Sequence, residues 1–161
     1  ALKQIDAALA LTPQKQGILL QRGTTRWQAG DLSGAAADFE AAFALDTRNT
    51  QVVPYIAAGR ILQGDAAGAK ALLTETFGTT AIDADVLRVA YYETKRYDDL
   101  VEIMKATVAA RGGDIQQRFL LAQAYALAGR PAEARAELSA VIVAHPDAAS
   151  AAAELLKQLG L

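Results

Sequence analysis

A recurring spacing constrains this chain more than anything else in it, and its clearest copy runs from Phe119 to Pro146, FLLAQAYALAGRPAEARAELSAVIVAHP. Leu121, Ala122 and Tyr125 stand at helical spacing, Gly129-Arg130-Pro131 breaks that helix and opens another, and Ala134, Leu138 and Val141 form the next apolar stripe. Pro146 closes the unit. The turn residues recur. Gly30 and Gly64 stand 34 apart and each precedes an Asp, and Lys95 and Gly129 are again 34 apart. The second-helix stripes open at Ala35, Ala69, Leu100 and Ala134, in steps of 34, 31 and 34. Four copies follow, 16–49, 50–80, 81–114 and 115–148, the second of them three residues short near Phe77-Gly78-Thr79-Thr80. A period of this length means that each copy is one helical pair, unable to bury its apolar face without its neighbours.

The pattern resembles the tetratricopeptide repeat. That resemblance implies an all-α fold, a right-handed α-solenoid of helix-turn-helix units treated as one domain over 1–161. Residues 1–13 then read as a partial repeat, because Ala1, Ile5 and Ala8 continue the phase of Ala35, Phe39 and Ala42, and Pro13 sits where Pro146 does. The chain is accordingly expected to be a piece of a longer protein, with a natural N-terminal capping helix as the competing reading. If a preceding helix is absent, Ile5 and Leu9 should be exposed. Residues 149–161 read as a capping helix through Ala152, Leu155, Leu156 and Leu159, as the last repeat of a stack requires.

The predicted helices are 14–29 and 32–45 in the first copy, with Asp31 capping the second of these. In the second copy Pro54 places the helix start at 52 or 53, since its missing N–H is harmless only in a first turn. In the third, the helices are 83–94, with Asp83 as N-cap, and 97–111, joined by Lys95-Arg96 without a glycine. Arg22 and Arg26, and Arg60 one period later, occupy places where the family often has apolar or aromatic residues. They are read as ion-paired or snorkelling, the alternative being recognition of an acidic partner.

Chemistry of the catalytic kind finds little support. The single histidine, His145, precedes Pro146 in a turn with no recognisable acid or nucleophile partner. Glu93, Asp98 and Asp99 fall near a helix start, where carboxylates favour the dipole without a metal. Glycines stand singly or as the pair Gly112-Gly113, and not in a glycine-rich run before a helix, so no phosphate loop is formed. No enzyme activity, cofactor or metal is expected. Net charge is −2 with both signs interspersed, which argues against nucleic acid. No apolar run approaches the roughly 18 residues of a membrane span, so insertion of this segment is not expected.

What remains is a surface. In tetratricopeptide proteins the first helices line a concave groove that receives an extended peptide or helix of a partner protein. The resemblance therefore implies a groove lined by Leu20, Thr24, Trp27 and Gln28, then Pro54, Ala58 and Ile61, then Asp85, Val89 and Tyr92, then Gln116, Phe119 and Gln123. Trp27 reads either as groove anchor or as core filler, and Tyr92 and Phe119 stand equally between the two. These faces carry no lysine, so the carboxylate clamp of chaperone-binding members is not expected. Two other readings stay open. The second half is similar to soluble tails of bacterial O-antigen ligase or polymerase-like membrane proteins, through Phe77-Gly78-Thr79, Ala90-Tyr91-Tyr92, Arg96-Tyr97-Asp98 and the 155–159 helix. That would make the chain an extramembrane arm of an envelope enzyme. A spacer that dimerises through its open ends is the other. The alanine-rich style is bacterial, of cytoplasm or periplasm.

Overall fold

A computed structural model describes residues 2–12 and 15–161; Ala1, Pro13 and Gln14, and with them the phase match of Ala1 and the start signal of Pro13, lie outside the described residues. In order the helices are α1 (Leu2–Leu11), α2 (Gln16–Gln28), α3 (Leu32–Leu45), α4 (Val53–Leu62), α5 (Ala66–Phe77), α6 (Asp85–Glu93), α7 (Tyr97–Ala110), α8 (Ile115–Leu127), α9 (Pro131–Ala144) and α10 (Ala149–Gln158). Short 3₁₀ turns, Thr50–Val52 and Pro146–Ala148, lead into α4 and α10. Pro54 lies in the first turn of α4, as its chemistry demands. The fold is an all-α array of helix-turn-helix repeats.

Four of the turns share one geometry, and local chemistry explains it. A helix leaves its last carbonyls without partners, and a left-handed residue lets the chain fold back onto them. Gly30, Gly64 and Gly129 take that conformation, with φ of 82°, 92° and 70°. The N–H after each reaches back over the turn: Asp31 to the Arg26 carbonyl, Asp65 to Arg60 and Arg130 to Tyr125, all at 2.9 Å. At the third turn Arg96 bonds the Tyr91 carbonyl at 2.8 Å in the same way. There the left-handed residue is Lys95, with φ of 56°, so the turn is made at a steric cost. Asp31 and Asp65 then cap α3 and α5 by accepting from the N–H groups of Gly34, at 3.0 Å, and Gly68, at 2.8 Å.

Two compact units make up the chain, Ala1–Thr80 with Ala84–Ala90, and Ala81–Asp83 with Tyr91–Leu161. In the first, α1 packs on α2, α2 on α3, α3 on α4 and α4 on α5. Ile5 and Leu9 of α1 are buried with Leu19 and Ala42, which corrects the expectation that they lie open. They turn inward because α1 itself packs on α2. Gly23 makes room for Phe39, since a Cβ there would lie 2.8 Å from the ring. Gly59 lets α4 approach α3, since a Cβ there would lie 2.3 Å from that of Ala36.

In the second unit α7 packs on α8, α8 on α9 and α9 on α10. Ala152 and Leu155 of α10 bury against Ala122 and Leu138, with Phe119, Ile142, Leu156 and Leu159 around them. Asp83 differs from expectation. The helix begins two residues later, at Asp85, and the Asp83 carboxylate accepts from Thr107 Oγ1 at 3.0 Å and Arg111 Nε at 2.9 Å. Thr107 is fully buried, so its hydroxyl needs a partner, and Asp83 supplies one.

Candidate functional site

The arginines on the first helices are occupied structurally. Arg22 forks onto Asp38, with Nε at 3.1 and 3.0 Å and Nη2 at 2.6 Å from its carboxylate oxygens, and reaches Asp6 at 3.0 Å. Arg26 joins the same carboxylate at 2.9 Å and bonds the Gly34 carbonyl at 3.2 Å. Asp38 is only 3% exposed, so two guanidiniums satisfy a carboxylate that would be costly to bury alone. Its hydrogen bond, outweighing the effect of burial, holds Arg22 more firmly protonated than usual. Arg60 bonds Glu40 and the Gly68 carbonyl. The ion-pairing reading of these residues is the one the geometry gives.

The residues named for the groove fall into three groups, Gln116 belonging with the exposed ones and Pro54 with the half-buried ones. Thr24, Gln28, Asp85, Val89 and Tyr92 are exposed. Val89 and Tyr92 are 53% and 52% exposed, which is high for side chains of this size on a helix. Asp85 is ion-paired with Arg88 in the next turn. Leu20, Trp27, Phe119 and Gln123 are half-buried. Phe119 packs at the edge of the second unit's core, and Trp27 packs edge-on against Tyr55, ring centres 5.3 Å apart. Trp27 is therefore largely a filler with one accessible margin. Ala58 and Ile61 are 0% and 1% exposed, and their place on an open face is corrected. The reason lies in α4, VPYIAAGRIL, whose Val53, Ile56, Ala57, Ala58 and Ile61 are all buried: a helix apolar nearly all round has few faces to offer water.

Other apolar side chains are exposed where the sequence reading named none. Leu120 and Leu127 of α8 are 37% and 41% exposed and lie seven residues apart, two turns along one helix face. In the first unit a surface hollow of about 220 Å³ is lined by Leu20, Thr24, Phe39, Asn49, Gln51, Val52 and Tyr55. Leu20 and Thr24 were in the expected set. Asn49 and Gln51 were missed because residues between helices carry no helical phase; Tyr55 lies in the first turn of α4, directly after Pro54, and that place was the available signal. The Tyr55 ring also meets Phe39, centre to centre 5.1 Å.

His145 ends α9, its N–H bonded to the Val141 carbonyl at 2.8 Å. Asp98 and Asp99 lie in the first turn of α7, where Asp99 accepts from Arg96 at 2.8 Å. Among the described residues no group of three or more His, Cys, Asp or Glu side chains is placed to hold a metal ion. Among them, too, no helix is long and apolar enough to cross a membrane.

No protein-family model matches the chain, and no curated protein matches it. A solved structure does. The crystal structure of a tetratricopeptide repeat protein from Parabacteroides merdae ATCC 43184 superposes with a TM-score of 0.60 at 16% identity, over 88% of this chain. The chain spans 57% of the length of that protein. Identity this low speaks for the fold alone, and the fold of this chain is that of the tetratricopeptide repeat.

Proposed function

We propose that the chain is a non-enzymatic scaffold that binds a peptide or helix of a protein partner on the faces of its first helices. The fold suggests a protein-interaction module, and one observation supports this particular surface. Val89 and Tyr92 on α6, and Leu120 and Leu127 on α8, hold large apolar side chains in water on first helices. Exposed aromatic and branched side chains are what interfaces use as anchors.

The test places a photo-crosslinking amino acid at Tyr92, at Leu127 and, as control, at Val143 of α9, which is 83% exposed on a second helix. In cells that make the protein, crosslinks to one discrete partner from Tyr92 and Leu127 support the reading. Crosslinks from Val143 alone sink it.

A further inference from the structure

The hollow in the first unit carries an inference about the chemistry of the partner, and it rests on the scaffold reading. Its volume, about 220 Å³, lies below the roughly 300–1,000 Å³ of pockets that hold cofactors or drug-sized ligands. It suits a single side chain. Leu20 and Val52 and the rings of Phe39 and Tyr55 give it an apolar lining, and none of its seven lining residues is charged. A charged side chain entering it would lose water and gain no counter-charge, which is costly. Arg22 and Arg26 cannot supply one, because Asp38 already holds both.

The rim is polar in a particular way. The Thr24 hydroxyl donates to the Leu20 carbonyl at 2.9 Å, leaving its oxygen to accept. The side-chain amides of Asn49 and Gln51 have no hydrogen-bond partner among the described residues. Each offers a donor and an acceptor, the same pair that a peptide group presents. The wall is already set, since Tyr55 is held between Trp27 and Phe39, so little ordering is needed when something enters.

We infer that this hollow is an anchor pocket taking one uncharged apolar side chain of an extended partner segment, with Asn49 and Gln51 bonding the peptide groups beside it. The occupant is thus a protein segment with a leucine, isoleucine, methionine or phenylalanine anchor.

The test uses the whole chain and a displayed library of random short peptides. Selected peptides are synthesised and titrated against the fluorescence of Trp27, the chain's single tryptophan, which touches the Tyr55 wall. The expected result is a shared apolar anchor whose replacement by Asp or Lys weakens binding roughly tenfold or more, since even one methylene is worth about that in an apolar pocket. Thr24→Glu, a change at an exposed rim position, should weaken it comparably while the helical melting curve is unchanged. Peptides with a charged consensus, or peptides that bind only as preformed helices, overturn the inference. So does binding indifferent to Thr24→Glu and abolished by Tyr92→Asp, which keeps the scaffold reading and moves the site. If no peptide is selected and light scattering shows a dimer, the occupant is a second copy and the inference is overturned. If neither peptide binding nor self-association occurs, the scaffold reading fails with it.

Discussion

The two units place different chemistry at the same two positions of the repeat. In the first unit the helix before the turn carries Arg26 or Arg60, and the turn ends in Asp31 or Asp65. In the second, the corresponding helix carries Tyr91 or Tyr125, and the turn ends in Arg96 or Arg130. The aspartates cap the next helix directly, whereas Arg96 and Arg130 bond carboxylates within the first turn, Asp99 at 2.8 Å and Glu133 at 2.9 Å. The Arg130 guanidinium also lies over the Tyr125 ring, 4.8 Å from its centre. A guanidinium is thus present at every turn, but on opposite sides of it. The backbone bonds of the turn are the same in all four, so the repeat constrains the backbone and leaves the side-chain solution free.

A second contrast sits inside the first unit. Arg22 and Asp38 of the first copy correspond to Ile56 and Leu72 of the second, each 34 residues on. The charged pair and the apolar pair stand at the same places of a first helix and a second, Leu72 packing against the cluster that holds Ile56. The largest expected effect tests this equivalence. Asp38→Ala strands two arginines and should cost about 3 kcal/mol in chemical denaturation. The double change Arg22→Ile with Asp38→Leu copies the second repeat and should recover most of it, because well-packed apolar residues commonly replace a buried ion pair without loss. A double variant no more stable than Asp38→Ala would show that the two places are not interchangeable.

Next in size is a pH dependence confined to the second unit. Burial, helped by the Asp99 carboxylate and opposed by Arg96, pushes the Tyr91 hydroxyl up from 10.0 to about 12. The unfolded chain releases this proton first, so stability is undiminished below pH 10 and falls as pH rises from 10 towards 12. The loss should approach about 2 kcal/mol. Tyr91→Phe should be flatter than the parent over that window in denaturant titrations; identical alkaline slopes would remove Tyr91 from the account.

The smallest effect concerns the one turn that departs from glycine. Lys95→Gly should raise stability by about 1 kcal/mol, relief of the left-handed strain exceeding the added freedom of the unfolded chain. A fall in melting temperature would mean that the Lys95 side chain contributes more than its backbone costs.

The sequence by itself determined the elements. The range 32–45 for α3, the start of α4 at Val53, the four turns and the Asp31 cap were legible because each depends on residues within a few positions: Gly or Asp at a helix end, Pro in a first turn, apolar residues at i, i+3 and i+4. Only the tertiary structure decided what those elements enclose. Asp38 reads as an ordinary surface residue of a helix until Arg22 and Arg26, 16 and 12 residues away, close over it. Ala58 and Ile61 belong by phase to an open face, and packing on more than one side takes them out of water. The hollow beside Tyr55 draws Leu20 and Thr24 from one helix and Asn49 and Gln51 from a turn some thirty residues later. Burial is a sum over neighbours that are distant in the chain, whereas helix phase and turn chemistry are short-range, and that difference separates what the chain spells out from what its folding creates.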